Sequence, residues 1–266
     1  MDLSGRTKVI DIQSSIAIVT GAGNGIGRAV SRAFAKYGST GLVLVDRDNN
    51  GLLDTKRLIQ ELTPSVRVEL LAQDLLQERV SDQIVSETVT TFGRVDYLVN
   101  CAGNPGGFFY AHEADVSMFD LVHSLNVRAT WLLQRAVIRQ LLKQEPCNGE
   151  RGSIVNIGSV VSHVGQPMLS AYVSSKHAVL GMTKVEALDY AKHGIRVNCV
   201  APGIIDTDLG RAIPEEIRER NLQPIIDGTA LGRKGTTEEV ANCVAFLSSR
   251  LASYVTGTSL VVSSAY

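Results

Sequence analysis

The chain has 266 residues, a formal net charge of −1 and 44% hydrophobic residues, with neither a basic tract nor an acidic tail. This length can bury the core of one large α/β domain, and the balanced charge argues against nucleic acid and anionic membrane surfaces as partners. No apolar run reaches the ~18 residues that span a bilayer, and Met1–Arg6 lacks the apolar core of a signal peptide. We therefore expect a cytoplasmic protein.

The cysteines and histidines are too scattered to predict a metal site. The four cysteines never form a C-x-x-C pair, and the five histidines never form an H-E-x-x-H motif. Such spacings would be needed to place several ligands around one ion. We expect free thiols and no metal.

Short β-branched or Leu-rich runs recur along the chain and are separated by segments long enough for a helix. In chain order the runs are Ile16–Val19, Leu42–Val45, Val66–Leu71, Tyr97–Val99, Ser153–Ile157, Arg196–Val200 and Ser259–Val262. Several are almost continuously apolar, as is typical of strands covered on both faces. The intervening segments carry helical periodicity, so the pattern predicts a parallel α/β sheet with right-handed crossovers. No linker divides the chain, and we predict one domain over residues 1–266 with a core at about 14–262.

A glycine-rich turn, Thr20–Gly27, follows the first predicted strand and precedes a helical pattern. Glycines let the backbone pack against a pyrophosphate, and the helix that follows directs its positive end at that anion. An ordinary glycine-rich turn is the alternative. The predicted cofactor contacts here are Gly21, Asn24, Gly25, Ile26 and Gly27.

Asp46 ends the second predicted strand, about twenty residues after the glycine turn. A carboxylate at this position accepts hydrogen bonds from the adenosine ribose hydroxyls and repels a 2′-phosphate. This favours NAD over NADP, and the neutral Asn24 supports the same choice, whereas the adjacent Arg47 opposes it. The alternative is that Asp46 caps the turn at Asp48–Asn50.

Two further strand ends carry candidate cofactor contacts. Asp74 and Leu75 follow the third strand, where a side chain would meet the adenine edge, although a helix-capping aspartate fits nearly as well. Asn100, Ala102 and Gly103 close the fourth strand, where small residues let the backbone lie close to a cofactor. Simple packing at the end of the sheet is compatible with the same residues.

Tyr172 and Lys176 form the predicted reacting centre. Positions i and i+4 share one face of a helix, so the two side chains project toward the same ligand. The ammonium of Lys176 and a positively charged nicotinamide both favour the phenolate form of tyrosine. Tyr172 can then exchange a proton with an alcohol as hydride moves between the carbinol carbon and the nicotinamide. Lys176 would also bind the nicotinamide ribose.

Ser159 and Asn126 complete the candidate catalytic set. Ser159 follows the fifth strand and offers a hydroxyl to the substrate oxygen. Asn126 would lie inside a helix, where an amide is not favoured, and this suits a role such as holding a proton-relay water near Lys176. A solvent-facing asparagine is the alternative. An esterase is not supported, because Gly158-Ser159 lacks the G-x-S-x-G motif.

The segment Pro202–Thr207 follows the sixth strand. Here the chain can turn beneath the cofactor, and Thr207 and the backbone of Ile205 would meet the carboxamide. The predicted contacts of this segment are Pro202, Gly203, Ile205 and Thr207. A plain Pro-Gly turn is the alternative.

Taken together, these motifs resemble the short-chain dehydrogenase/reductase family in its roughly 250-residue form. The similarity runs from about Ser14 to Val262 and includes Leu231–Arg233 followed by Glu238–Ala241. The resemblance implies a single doubly wound Rossmann fold with a seven-stranded parallel sheet, an Asn-Ser-Tyr-Lys tetrad and a homotetramer. One departure is the tail Ser263–Tyr266, where members often have Asp-Gly-Gly near subunit contacts. A dimer is therefore the alternative assembly.

The substrate is predicted only as a class. Residues 208–230 would form a lid that mixes charged and apolar side chains, and the aromatic loop Pro105–Tyr110 would lie on the same rim. His163, Val164 and Met168 would add further walls. These features favour a secondary alcohol or ketone on a fairly apolar small molecule. The alternatives are an NADPH-dependent ketoreductase, a redox-silent binding protein of the same fold, and a non-redox enzyme.

Overall fold

The computed structural model describes residues 10, 12, 14–147, 149–207, 215–217, 219–220 and 223–264. Its seven strands form one parallel sheet in the order β3-β2-β1-β4-β5-β6-β7. The strands are β1 Ile16–Thr20, β2 Gly41–Asp46, β3 Arg67–Ala72, β4 Tyr97–Asn100, β5 Gly152–Ile157, β6 Ile195–Pro202 and β7 Ser259–Val262. The predicted doubly wound, seven-stranded parallel sheet is confirmed.

Helices cover both faces of this sheet. They are α1 Gly25–Tyr37, α2 Asn49–Leu62, α3 Val80–Phe92, α4 Val116–His123, α5 Thr130–Leu141, α6 Ser170–Tyr190, α7 Glu215–Ile217, α8 Gln223–Asp227 and α9 Thr237–Ser248. A π-helical turn, Ser124–Ala129, joins α4 to α5, and 3₁₀ turns lie at Val160–Ser162, Ala191–His193 and Arg250–Ala252. In the described portion, no helix combines the length and the apolar character needed to cross a membrane.

Two hydrophobic clusters hold the layers together. One packs α1, α2 and α9 on one face of the sheet, and the other packs α3, α5 and α6 on the opposite face. Every residue of β1, β5 and β6 is buried, whereas only Val68 and Leu71 are buried in the edge strand β3. This explains why the inner strands have nearly continuous apolar sequences.

The segments around α9 that resemble the family are joined in space. Thr236 caps α9 and forms a capping box with Glu239, whose carboxylate also accepts a 2.7 Å hydrogen bond from Nη2 of Arg233. Arg233 donates a second hydrogen bond, of 3.1 Å, to the same carboxylate. The two motifs therefore fix the start of α9.

The strand order reverses between β1 and β4. Successive connections leave the sheet in opposite directions at this point, so a crevice opens at the carboxyl ends of the two strands. Part of the predicted lid, residues 208–230, contains α7 and α8. Residues 208–214, 218, 221 and 222 of the lid lie outside the described residues, as do Met1–Arg6, Ala265 and Tyr266.

Candidate active site

A cavity of about 380 Å³ occupies the crevice at the carboxyl edge of the sheet. Most of the predicted cofactor contacts line it, namely Gly21, Asn24, Gly25, Ile26, Gly27, Asp46, Arg47, Asp74, Leu75, Ala102, Gly103 and Thr207. These residues come from five separate places in the chain. The sequence predicted that these motifs belong to one site, and the topology of the sheet brings them together in one wall.

The glycine turn packs directly against the end of β4. Thr20 accepts hydrogen bonds of 3.1 Å at Oγ1 from the N–H groups of both Cys101 and Ala102. A side chain at Gly27 would overlap the carbonyl oxygen of Gly21, so only glycine lets α1 start this close to β1. The side chain of Asn24 does not cap α1. The Asn24 side chain therefore does not compete with an anion for the first N–H groups of the helix.

The Asp46 carboxylate is held in place by backbone. Its Oδ2 accepts a 2.9 Å hydrogen bond from the N–H of Gly23, and its Oδ1 accepts a 3.0 Å hydrogen bond from the N–H of Asp48. The turn contact anticipated as an alternative is therefore present, and Asp46 also lines the cavity. Because a carboxylate has about four lone-pair sites, it can still accept hydrogen bonds from a ligand.

Asp74 lines the cavity and orders the turn after β3. Its Oδ1 accepts a 3.0 Å hydrogen bond from the N–H of Leu76, while α3 begins later, at Val80. Asn100 lies beneath the cavity rather than in its wall. Its Nδ2 donates to Oδ1 of Asn156, and Nδ2 of Asn156 donates to Oγ1 of Thr183 on α6. This buried chain joins β4, β5 and α6.

Lys176 is buried at the junction of β5 and α6. Its Nζ donates a 2.7 Å hydrogen bond to the carbonyl oxygen of Ile157 and lies 5.6 Å from the centre of the Tyr172 ring. It takes part in none of the ion pairs formed by the described residues. A Cβ placed on Gly103 would lie 3.7 Å from this Nζ, so the absent side chain leaves room beside the ammonium.

Ser159 and Tyr172 lie on neighbouring elements. Ser159 caps the turn Val160–Ser162, with Oγ accepting a 3.3 Å hydrogen bond from the N–H of Val161. This turn packs against α6, which carries Tyr172 as its third residue. Both side chains are half-buried. The two predicted hydroxyl groups are therefore brought to the same side of the strand ends.

Asn126 is buried in the π-helical turn, and its side chain bonds to protein groups. Its Oδ1 accepts from the N–H of Asn104 at 2.8 Å, and its Nδ2 donates to the carbonyl oxygen of Asn104 at 2.9 Å and to Oγ of Ser175 at 3.0 Å. Solvent exposure, the alternative considered for this residue, is wrong. Both amide hydrogens are used, so they are not available to a relay water.

The predicted contacts after β6 divide between two cavities. Pro202 ends β6, and Thr207 lines the crevice. Gly203 and Ile205 instead line a second cavity of about 350 Å³ between this turn, α8, α9 and the end of β7. The structure therefore does not bring these two residues together with the predicted cofactor contacts that line the crevice, and its lining likewise lacks Asn100, Tyr172, Lys176 and Pro202.

Several residues of the crevice were not predicted. They are Val45, Gln73, Leu76, Cys101, Asn104, Leu121 and Leu125. Leu121 and Leu125 are four residues apart, which places them on one helical face. This spacing could have predicted that both residues line the crevice. Cys101 lay inside a predicted motif. Burial raises the pKa of its thiol to about 12, although the Lys176 ammonium lowers it, so the thiol stays protonated.

Within the described residues, no group of three or more His, Cys, Asp or Glu side chains is placed to hold a metal ion. The crevice instead offers backbone N–H groups and a carboxylate, and the buried Lys176 ammonium lies next to Gly103 in its wall. These groups fit a dinucleotide, because they match its pyrophosphate, its ribose hydroxyls and its second ribose. The fold and the site together define a nucleotide-dependent Rossmann enzyme.

Comparison with known proteins identifies the family. A family model described as enoyl-(acyl carrier protein) reductase matches residues 21–266. A short-chain dehydrogenase of Neurospora crassa, srdC, is 38% identical over 92% of this chain and 94% of its own length. The crystal structure of levodione reductase, 31% identical, superposes with a TM-score of 0.88 over 95% of this chain and 97% of that chain. The chain belongs to the short-chain dehydrogenase/reductase family of oxidoreductases.

Two other solved structures contain nicotinamide cofactors. Xylitol dehydrogenase with bound NAD⁺ is 28% identical, with a TM-score of 0.87 over 95% of this chain and 98% of that chain. A dehydrogenase structure from Agrobacterium tumefaciens with bound NADP is 29% identical, with a TM-score of 0.84 over 96% of both chains. The solved structures of relatives thus contain either nicotinamide dinucleotide.

Proposed function

We propose that this protein transfers a hydride between NAD(H) and the carbinol carbon of a secondary alcohol, or the matching ketone, on a fairly apolar small molecule. Its catalytic residues would be Asn126, Ser159, Tyr172 and Lys176. The cofactor supplies the hydride acceptor or donor when bound. Binding, orientation and proton transfer are left to the residues of this chain.

The buried Lys176 ammonium is the observation that carries this proposal. A buried cation without a carboxylate partner is costly unless it serves a ligand or a reaction. Of its three N–H donors, one is bonded to the carbonyl oxygen of Ile157. The remaining donors can reach the hydroxyls of the nicotinamide ribose. Its Nζ lies 5.6 Å from the centre of the Tyr172 ring, so the two side chains proposed to react are neighbours.

Proton transfer is assigned to Tyr172. In alcohol oxidation, the phenolate accepts the hydroxyl proton of the substrate, and in ketone reduction the phenol returns it to the alkoxide oxygen. Ser159 Oγ accepts from the N–H of Val161, a bond that does not use its own hydrogen, which would be donated to a substrate oxygen. Both groups would then hydrogen-bond the same oxygen and stabilise the charge that develops on it.

The preference for NAD rests on Asp46. Its carboxylate is fixed by two backbone N–H groups at the cavity wall, where it can accept the ribose hydroxyls and repel a 2′-phosphate. Arg47 also lines the cavity and would attract that phosphate. NADPH-dependent ketone reduction is therefore the second candidate, and Arg47 is the residue that favours it.

The apolar character of the substrate is proposed from the rim of the site. Phe109 and Tyr110 are about half exposed, and the N–H of Phe109 donates a 2.9 Å hydrogen bond to the carbonyl oxygen of Met168. This contact holds the aromatic loop against Met168, which precedes Tyr172 by four residues in the sequence. Leu121 and Leu125 add apolar surface in the crevice itself.

The testing experiment is calorimetric titration with NAD⁺ and NADP⁺, followed by a screen of secondary alcohols read by NADH absorbance. Wild type should bind NAD⁺ more tightly, and Asp46→Ala should weaken NAD⁺ binding by about tenfold. The matched variant Arg47→Ala should leave NAD⁺ binding within about twofold. Tighter NADP⁺ binding by wild type would replace the first candidate by the second. Binding of neither cofactor would favour a redox-silent protein.

Three further expectations stay predictions. They are a single domain over residues 1–266, a homotetrameric or dimeric assembly, and a cytoplasmic location. The first concerns the whole chain, and the second depends partly on a tail that extends beyond the described residues. Size-exclusion chromatography with light scattering measures the assembly directly.

A further inference from the structure

A chain of hydrogen bonds connects the cofactor crevice to the backbone of Tyr172. It begins at the backbone of Asn104, which lines the crevice, and passes through the side chain of Asn126 to Oγ of Ser175. Ser175 Oγ donates in turn to the carbonyl oxygen of Tyr172 at 2.8 Å. We call this set of four residues the Asn104–Tyr172 chain.

Each hydrogen bond in the Asn104–Tyr172 chain has a fixed donor and a fixed acceptor. Asn126 donates from Nδ2 to Ser175, so the single hydroxyl hydrogen of Ser175 is left for Tyr172. Ser175 is fully buried and Asn126 is 1% exposed, so water does not compete for these bonds. Removing one buried partner therefore leaves another polar group without a hydrogen bond.

We propose that Ser175 is a positioning residue that sets the placement of Tyr172 and Lys176 relative to the crevice. It lies between them on α6, and its hydroxyl is the only atom through which Asn126 contacts this helix among the described hydrogen bonds. Asn126 holds both polar backbone groups of Asn104, next to Gly103. The crevice wall and the reacting helix are thereby fixed to one another.

This inference rests on the proposed function, because it assigns Ser175 to the same reaction. Proton and hydride transfer require the phenol and the nicotinamide to be held with small tolerance, whereas cofactor binding tolerates a larger shift. Loss of the Ser175 hydroxyl should therefore reduce kcat more than it weakens cofactor binding. It should also loosen the loop that starts at Asn104.

The test compares Ser175→Ala with Ser174→Ala, a neighbouring serine whose exposed hydroxyl bonds within α6 and to His123. Hydrogen–deuterium exchange of the free enzyme should become about tenfold faster at residues 103–106 in Ser175→Ala only. With the best alcohol from the NADH screen, kcat should fall by about tenfold while the KM for NAD⁺ stays within about twofold. The solvent deuterium isotope effect on kcat should rise, because proton transfer becomes more limiting.

Two further variants separate positioning from folding. Ser175→Cys keeps a weak hydrogen-bonding group of similar size and should give intermediate exchange and kcat. In an Asn126→Ala background, Ser175→Ala should add almost nothing, because the link is already broken.

Several results would overturn the inference. Exchange at residues 103–106 that matches wild type would do so, as would full additivity with Asn126→Ala. The inference would also be overturned if kcat fell only in proportion to the loss of thermal stability while the isotope effect stayed unchanged. A wild-type enzyme that neither binds nor reduces NAD⁺ or NADP⁺ would instead reject the proposed function. The exchange measurement does not depend on turnover, so the two failures are distinguishable.

Discussion

The two sides of the crevice are built from different parts of the polypeptide. On the side of β1, β2 and α1, the wall is mainly backbone, with glycines in close contact and one carboxylate, Asp46, held by N–H groups. On the side of β4, the wall is backed by buried side chains of the neighbouring elements, such as Asn126, Asn156 and Lys176, which form hydrogen bonds beneath it. The first side should be sensitive to added atoms, and the second to lost functional groups.

Among the substitutions of buried and half-buried side chains near β4, β5 and α6, Tyr172→Phe should cause the largest loss of turnover. The variant keeps the ring but removes the proton carrier, so turnover should fall by about 10²–10⁴-fold while cofactor affinity changes by less than about twofold. NADH absorbance and calorimetry measure the two quantities. Tyr254→Phe, at a fully exposed position, is the control and should match wild type. Activity within about tenfold of wild type would reject Tyr172 as the proton carrier.

On the side of β1, β2 and α1, Gly27→Ala should cause the largest loss of cofactor affinity. Its methyl group would overlap the carbonyl oxygen of Gly21, so α1 must move away from β1. Cofactor affinity should fall by about 100-fold, measured by calorimetry. Gly181→Ala, in α6, meets no atom within 4 Å and should be neutral or stabilise by up to about 1 kcal/mol. Equal cofactor binding by Gly27→Ala and wild type would show that this close contact is unnecessary.

Asn156→Ala should break the buried chain beneath the crevice. Asn100 and Thr183 would both lose a hydrogen-bond partner in a site without solvent, which should cost about 2–4 kcal/mol of unfolding free energy. Urea denaturation measures this change. Thr90→Ala removes an exposed helical hydroxyl and should cost less than about 0.5 kcal/mol. Similar losses in both variants would show that the buried chain adds no particular stability.

Glu186→Gln should have the smallest effect and should depend on pH. Burial, and then the nearby Asp189, raise the pKa of Glu186 from 4.5 to about 7. The folded state holds this proton more tightly than the unfolded chain does. The resulting stability is fully present below about pH 4.5 and is lost as the pH rises through about 7. The substitution should therefore stabilise the protein at pH 8 and have little effect at pH 4.

A shift of this size would correspond to roughly 3 kcal/mol, but solvent at the helix surface screens part of it, so we expect a gain of about 1–2 kcal/mol at pH 8. Thermal melts at the two pH values measure it. Asp189→Asn should give a smaller gain in the same direction, since it removes only the second cause. A gain of equal size at pH 4 would contradict this explanation.

The parts of the site that the sequence predicted best are those encoded within one short segment. Thr20–Gly27 signals its backbone conformation through its own glycines, and all five of its predicted contacts line the crevice. Asp46 ends β2 and Asp74 lies two residues after β3, so parallel topology alone places them at the same edge. Leu121 and Leu125 were not predicted, because Asn126 was the only residue of this helical segment that was considered for the site.

The sequence by itself predicted a parallel α/β sheet and candidate reacting side chains, because period, strand ends and helical spacing are local properties, and its resemblance to the family implied seven strands. Tertiary structure decided which of those side chains meet. Asn126 bonds Asn104 and Ser175, 22 and 49 residues away, and Gly203 and Ile205 face a second cavity. Such contacts depend on how strands and helices pack, and no local pattern specifies that packing.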